Sequence, residues 1–142
     1  SSGRSACILD QPMMMKVMIP LFFYSISSFV WAASTWNCRN LSAEITCNQK
    51  QCEINQDGFT PFDISTNAKN ELTVCAYSGC WEGKATAFNT KNYLIVAGHA
   101  LQWSHDAKQT PAQFLLNIDT KTKVGFLQGE GFAMPLQCQV SY

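Results

Sequence analysis

Residues 114–127 read FLLNIDTKTKVGFL, and this stretch decides the fold. It contains two runs rich in β-prone residues, Phe114 to Ile118 and Lys123 to Leu127, on either side of the polar segment Asp119 to Thr122. A short polar segment between two such runs is typical of a β-hairpin, in which the chain reverses and the runs pair as antiparallel strands. We therefore predict a hairpin here.

Short strands are predicted on both sides of this hairpin. Residues 41–47 and 72–76 alternate apolar and polar side chains, which places the apolar set of each run on one face of a half-buried strand. In the first run that set is Leu41, Ala43, Ile45 and Cys47. Residues 81–88, 93–97 and 136–140 are also β-prone. These runs predict an all-β fold, a small antiparallel barrel or sandwich of about six to eight strands stapled by disulfides.

The composition indicates a single globular domain with no polyanionic partner. The chain has 142 residues, of which 46% are hydrophobic and 14% are charged, and this balance excludes the disordered, collagen-like and coiled-coil classes. Ten basic and ten acidic side chains give a formal net charge of zero. No basic surface large enough to bind nucleic acid is therefore expected.

The N-terminal part of the chain carries a predicted export signal at residues 13–32. Lys16 precedes an apolar run at residues 17–30 that is too short to span a bilayer with ease, and small residues follow at Ala32 and Ala33. We predict cleavage after Ala32; a short membrane anchor is the alternative. Residues 1–12 are interpreted as a non-native or upstream extension. The remaining domain, residues 33–142, is expected to be periplasmic or secreted and free of the membrane after cleavage.

Six cysteines remain in that domain once Cys7 is set aside. An even number in an exported chain favours three disulfides. Two of the predicted pairs enclose only four residues, enough for a turn that brings the two cysteines within bonding reach, and the third pair follows by elimination. The predicted pairs are Cys38–Cys138, Cys47–Cys52 and Cys75–Cys80. A four-thiolate zinc site built from the two local pairs is the alternative, although thiolates are oxidised outside the cytoplasm.

The candidate binding site lies in the segment CAYSGCWEGK, residues 75–84. If a disulfide closes this segment, Tyr77 and Trp81 become large amphipathic rings on a preorganised loop, which is how interface hot spots are built. The alternative is that Trp81 packs into the core beneath the stapled turn.

The run from Ser78 to Phe88, SGCWEGKATAF, resembles the Ser-Gly loop and the following Trp-rich strand of the small periplasmic inhibitors of C-type lysozyme. The resemblance covers eleven of the 110 residues left after the predicted cleavage. It departs from the family pattern at Glu82, where a Tyr closes the motif, and at Lys84, which follows a glycine instead of preceding one. The resemblance implies an exported, disulfide-containing β-barrel, and it adds Ser78 and Lys84 as contact residues for a protein partner.

Catalysis has less support in the sequence. A metal-binding protein or a hydrolase using His99, His105 and Asp106 is one alternative. Ser104, His105 and Asp106 are consecutive, and neighbouring residues of a strand point to opposite faces, so these three cannot form a catalytic triad among themselves. No catalytic residue, metal or cofactor is therefore expected.

These observations together favour an exported, non-catalytic binding protein of the bacterial envelope, an inhibitor or immunity-like factor against an envelope-acting hydrolase. A structural or small-ligand-carrying envelope component is the remaining alternative. The sequence leaves the partner and the oligomeric state open.

Overall fold

The computed structural model describes Gly3 and residues 34–142. The predicted signal peptide lies outside the described residues, and so does the predicted extension, apart from Gly3. Residues 34–142 form eleven β-strands. The strands are β1 Thr35–Arg39, β2 Glu44–Cys47, β3 Cys52–Asn55, β4 Asp63–Thr66, β5 Glu71–Ala76, β6 Gly79–Lys84, β7 Thr86–Asn89, β8 Tyr93–Trp103, β9 Ala112–Asp119, β10 Val124–Gly129 and β11 Phe132–Ser141.

The strands form a closed antiparallel barrel, which confirms the predicted fold class. Eight of them follow one another in the order β1-β4-β5-β6-β8-β9-β10-β11, and β11 pairs with β1 to close the ring. The three remaining strands extend this wall: β7 pairs with β8, and the β2–β3 hairpin is attached to the start of β11. Closure satisfies the backbone groups that an open sheet would leave at its edges.

The barrel interior is filled by side chains from alternate positions of each strand. In β9, Phe114, Leu116 and Ile118 are buried while Leu115 between them faces outward. The alternation predicted for residues 72–76 is confirmed, because Leu72 and Val74 are completely buried. Each such side chain removes apolar surface from water and contributes on the order of 1.5–3 kcal/mol to folding.

The predicted hairpin at residues 114–127 is confirmed as β9, a four-residue turn and β10. The Asp119 carboxylate accepts hydrogen bonds from the backbone N–H groups of Lys121 and Thr122, at 2.9 and 3.1 Å. These bonds, the one from Thr122 first, hold the pKa of Asp119 below its ordinary value. Lys123 adopts the left-handed conformation that completes the reversal. The turn is therefore fixed by the side chain of Asp119, the last residue of β9.

All three predicted disulfides are present. Each joins two residues that stand directly opposite each other on neighbouring antiparallel strands. The Cys38–Cys138 bond connects β1 to β11, where the ring closes. The other two bonds staple the β2–β3 and β5–β6 hairpins.

The prediction of one half-buried strand with an apolar inner face over residues 41–47 was wrong. The strand begins only at Glu44, whose side chain is buried, while Leu41 is 59% exposed. Ile45 stands opposite Ala133, an outward position of β11, so the two-residue period turns Glu44 inward. Cross-strand register therefore overrides the hydrophobic pattern here.

The predicted strand at residues 81–88 is divided at Ala85. The backbone N–H of Ala85 donates to the carbonyl of Asn70 at 2.8 Å, in the turn between β4 and β5. Before this point β6 pairs with β5, and after it β7 pairs with β8.

Because the strands alternate in direction, their connections gather at two ends. The β5–β6 turn, the β8–β9 loop and the β10–β11 turn lie at what we call the upper end. The β4–β5, β7–β8 and β9–β10 turns lie at the lower end.

Candidate functional site

The upper end presents Tyr77 and Ser78 on the two-residue turn between β5 and β6. Tyr77 is 83% exposed, and the strand pairing continues up to Ala76 and Gly79 on either side of the turn. A Cβ atom at position 79 would lie 2.8 Å from side-chain carbons of Trp103 and His105. Only glycine therefore allows the turn to pack this closely against the neighbouring loop.

The turn is held on two sides. The Cys75–Cys80 disulfide closes its base, and β8 with its following loop supports it through Ser104. The Cys80 N–H donates to the Ser104 hydroxyl oxygen at 3.0 Å, and the Ser104 N–H donates to the Cys80 carbonyl at 2.8 Å. The Tyr77 ring therefore projects from a backbone with little freedom left to lose on binding.

Trp81 lies inside the upper end of the barrel, beneath this turn. Its ring centroid is 4.6 Å from that of Trp103, 5.4 Å from that of Phe114 and 6.5 Å from that of Phe62. Phe132 extends the cluster through Phe62, at 6.3 Å. We call these five residues the aromatic cluster. Tilted aromatic pairs at such distances contribute about 0.5–1.5 kcal/mol beyond their buried area, so Trp81 supports the turn from below.

Lys84 lies on the outer surface at the lower end of the same strand. Its ammonium is 2.9 Å from a carboxylate oxygen of Glu71, the residue opposite it on β5. Glu71 also accepts a hydrogen bond from the Asn67 amide at 2.8 Å. The Asn67 amide and then Lys84 hold the pKa of Glu71 below its ordinary value.

The four predicted contact residues therefore do not form one surface. Tyr77 and Ser78 stand together on the upper turn. Trp81 points into the barrel, and Lys84, three positions further along the strand, points outward. A spacing of three places two strand residues on opposite faces.

The three residues of the alternative metal or hydrolase site, His99, His105 and Asp106, have different surroundings. His105 rests edge-on against Trp103, with centroids 6.2 Å apart, and Asp106 caps its own turn by accepting the N–H of Lys108 at 2.9 Å. His99 lies on the outer face of β8 beside an open depression that Glu130 also lines. Among residues 34–142, no group of three or more His, Cys, Asp or Glu side chains is placed to hold a metal ion.

One side wall of the barrel is unexpectedly apolar on its outer surface. Two rows of directly opposed residues cross it, and we call them together the apolar wall. The first row is Phe88, Ile95, Asn117, Phe126 and Pro135, on β7 to β11. The second is Thr86, Ala97, Leu115, Gln128, Ala133, Ile45 and Ile54, which continues onto β2 and β3. Neither row contains an ionisable side chain.

The apolar wall leaves large side chains in contact with water. Phe88 is 54% exposed, Leu115 41% and Ile54 69%, and Val124 and Tyr93 lie exposed at its margin. The outer surface of the opposite wall is polar and includes the Arg39–Asp63 ion pair. A polar row crosses it through Gln139, Asn37, Ser65, Thr73, Glu82 and Gln102. Contiguous exposed apolar surface of this kind marks interaction sites in soluble proteins.

The sequence reasoning missed the apolar wall, although a signal for it exists. Residues 93–97 read YLIVA and residues 114–116 read FLL, so these strands are apolar on both faces. A strand that faces a core on one side and water on the other should alternate instead. A run without alternation therefore indicates a second covered face.

Comparisons with protein-family models, with curated protein sequences and with solved structures found no match to this chain. Among the described residues, no helix has the length and apolar character needed to cross a membrane.

Proposed function

We propose that this chain is an exported, non-catalytic binding protein of the bacterial envelope, which binds a protein partner through the Tyr77–Ser78 turn. The observation that carries the proposal is the exposure of Tyr77, 83%, on a turn closed by a disulfide. A large aromatic ring has no stabilising role for the barrel when it is left in water. Tyrosine on a rigid backbone is a common anchor of protein interfaces.

The surroundings of the turn suit an inhibitor that enters a partner's cleft. Tyr77 is exposed at the tip of the turn, the backbone of the turn is anchored by Ser104, and the aromatic cluster supports it from below. A preformed turn loses little conformational entropy when its exposed ring enters a cleft. The partner we propose is an envelope-acting hydrolase, because Ser78 begins the segment that resembles the lysozyme inhibitors. Lys84 is not included in the contact surface, since it faces outward at the other end of the strand.

The disulfides support the exported location. Three bonds, one of them spanning 100 residues, are typical of proteins that fold in an oxidising compartment. N-terminal sequencing of material exported by a bacterial host tests this part of the proposal. We expect the sequence to begin at Ala33, and a product that retains residues 15–30 would contradict it.

The inhibitory activity is tested with C-type lysozyme as the probe. Purified oxidised protein should lower the rate at which lysozyme clears a cell-wall suspension. Tyr77→Ala should weaken the inhibition by a hot-spot amount, about 2 kcal/mol or roughly thirtyfold in the inhibition constant. Tyr142→Ala is the matched control, since Tyr142 is 86% exposed at the other end of the last strand. Unchanged lysozyme activity would contradict this partner, and equal effects of the two variants would contradict the site.

The apolar wall favours a second candidate function, a structural component that associates with a second copy of itself. In a two-fold symmetric interface each residue meets its own surface again, so a charged residue at the centre would face the same charge. Neither row of the wall contains an ionisable residue, and Phe126 and Leu115 occupy neighbouring rows near its middle. An uncharged apolar surface is therefore compatible with pairing to itself.

Light scattering coupled to size-exclusion chromatography tests this second candidate. The oxidised protein should run as a dimer whose dissociation constant rises at least tenfold in Leu115→Ser. Thr73→Ala, on the outer surface of the opposite wall, is the control and should dimerise normally. A monomer at all accessible concentrations would exclude self-association through the wall.

A further inference from the structure

The lower end of the barrel contains an open cavity of about 290 Å³. It exists because the strands separate there. Among the described strands β7 pairs with β8, whereas β4 pairs with β1 and β5. The bond from the Ala85 N–H to the Asn70 carbonyl lies where the two groups of strands part. Below it, the ladder no longer closes the wall, and the interior opens to solvent.

The floor of the cavity is apolar and contains an indole. Trp36, Ala87 and Leu94 line it from inward positions and pack against the buried core. Trp36 stands opposite Thr66 on β4, and Leu94 stands opposite Asn89 on β7, so polar groups border the floor on both sides. An indole offers a flat apolar surface together with an N–H donor.

The described residues at the rim of the cavity are polar and have no charged side chain. The amide of Asn67 is committed to its own turn, because its oxygen accepts the N–H groups of Lys69 and Glu71. Asn70 and Asn89 are exposed at the rim. Nine of the described residues line the cavity, and none of these nine has an ionisable side chain. They are Ser34, Trp36, Thr66, Asn67, Ala68, Asn70, Ala87, Asn89 and Leu94.

This combination selects for one class of ligand. Amide and hydroxyl side chains both donate and accept hydrogen bonds, so they complement a ligand whose groups do the same. A charged ligand would lose hydration without gaining an opposite charge from these nine side chains. A purely apolar ligand would leave the amides of the rim unpaired. What remains is an uncharged molecule with several hydroxyl groups and one apolar face.

We propose that the cavity binds a single neutral sugar ring, with the C–H face of the ring on Trp36 and its hydroxyl groups on Asn70 and Asn89. The volume lies just below the usual range of ligand pockets, about 300–1,000 Å³, and suits one ring rather than several. The site is independent of the proposed inhibitor function, because it lies at the opposite end of the barrel from Tyr77.

The experiment is a titration followed by NMR on the oxidised protein labelled with ¹⁵N. The neutral probes are D-glucose, N-acetyl-D-glucosamine and methyl β-D-glucoside. D-glucuronate tests for tolerance of charge, and cyclohexanol tests for apolar binding alone. We expect at least one neutral sugar to shift the indole N–H of Trp36 and the side-chain amides of Asn70 and Asn89. Binding of the methyl glycoside would indicate the end of a glycan chain, and its exclusion would indicate a free sugar.

Two variants and a control locate the effect. Asn89→Ala removes one rim amide, and Ala87→Leu places a larger side chain on the apolar floor without removing a polar group. Each should weaken sugar binding about tenfold or more. Asn117→Ala, an exposed asparagine on the outer face of β9, should bind normally.

Three results would overturn the proposal. The first is the absence of shifts at Trp36, Asn70 and Asn89 with every neutral sugar. The second is binding of glucuronate or cyclohexanol as tight as that of the best sugar. The third is equal affinity in Ala87→Leu, since the leucine side chain would occupy part of the floor on which the ring is proposed to lie.

Discussion

Cys38 and Cys138 stand directly opposite each other on β1 and β11, and their disulfide joins the two strands at the line where the barrel closes. Both cysteines are buried. The backbone of Gly125 approaches so closely that a Cβ there would lie 2.9 Å from the Cys138 sulfur. The disulfide is therefore packed within the hydrophobic core, and it also links two distant parts of the chain.

Removal of this disulfide should destabilise the protein more than removal of a hairpin disulfide. The Cys38→Ala/Cys138→Ala variant releases a loop of 100 residues, and the expected loss in the free energy of unfolding is about 2–5 kcal/mol. The Cys47→Ala/Cys52→Ala variant releases only a short turn and should lose less. Urea unfolding of both variants measures the difference. A larger loss in the hairpin variant would contradict the assignment of the closing role to Cys38–Cys138.

Substitution of Trp81 should lower stability, whereas substitution of Tyr77 should weaken binding. Trp81→Ala removes the ring at the centre of the aromatic cluster, and we expect a loss of about 3–5 kcal/mol in the free energy of unfolding. Tyr77→Ala should change stability by no more than about 0.5 kcal/mol, because its ring is in water. Thermal melts of the two variants, recorded beside the lysozyme titration, separate packing from recognition. A destabilised Tyr77→Ala variant would mean that its ring supports the fold.

Stability should fall on acidification partly through Glu71. Its pKa is lowered in the folded protein, so the folded state binds fewer protons than the unfolded state as the pH falls through the ordinary glutamate range. The contribution is complete above the ordinary pKa and is lost as the pH falls through the lowered one. Glu71→Gln should therefore show a shallower loss of melting temperature between neutral and acidic pH. Asp57→Asn removes the same charge from an exposed loop and serves as the control; identical profiles for the two variants would contradict the prediction.

A substitution at Asn40 should make stability depend on pH in the opposite direction to the contribution of Glu71. Its side chain is completely buried, its oxygen accepts the backbone N–H of Phe62, and its amide nitrogen has no hydrogen-bond partner among the described residues. Asn40→Asp keeps the acceptor but places a carboxyl group in the interior, which burial holds in its neutral form. The pKa of that group should be raised in the folded state, so stability should decrease as the pH rises above the ordinary aspartate value. Chemical denaturation at acidic and neutral pH measures this, and a variant that is more stable at neutral pH would refute it.

The elements that could be predicted from the sequence depend on local signals. The turn after Ile118 is specified by Asp119, and two disulfides follow from the four-residue spacing of their cysteines. The third pair, Cys38–Cys138, followed by elimination from the six cysteines of the domain. Leu72 and Val74 lie in a strand with register partners on both sides, so their alternation is reliable.

The elements that could not be predicted depend on partners distant in sequence. Glu44 faces inward because Ala133, on the last strand, sets the register of Ile45. The strand divides at Ala85 because the carbonyl of Asn70 is available there. One feature of the candidate site was predictable: Trp81 and Lys84 lie three positions apart on one strand, so the two-residue period places them on opposite faces of the sheet. For the candidate site, the exposure of Tyr77 agrees with a binding turn, while the cavity at the lower end has no local sequence signal.

The position of the apolar wall has a steric consequence. It occupies the flank of the barrel, whereas the Tyr77 turn and the cavity occupy its two ends. An object that covers the flank, whether a second copy or a hydrophobic adsorbent, leaves both ends open along the barrel axis. Simultaneous occupancy of flank, turn and cavity is therefore geometrically permitted. The apolar wall, the Tyr77 turn and the cavity are therefore three separate surfaces of the barrel that residues 34–142 form.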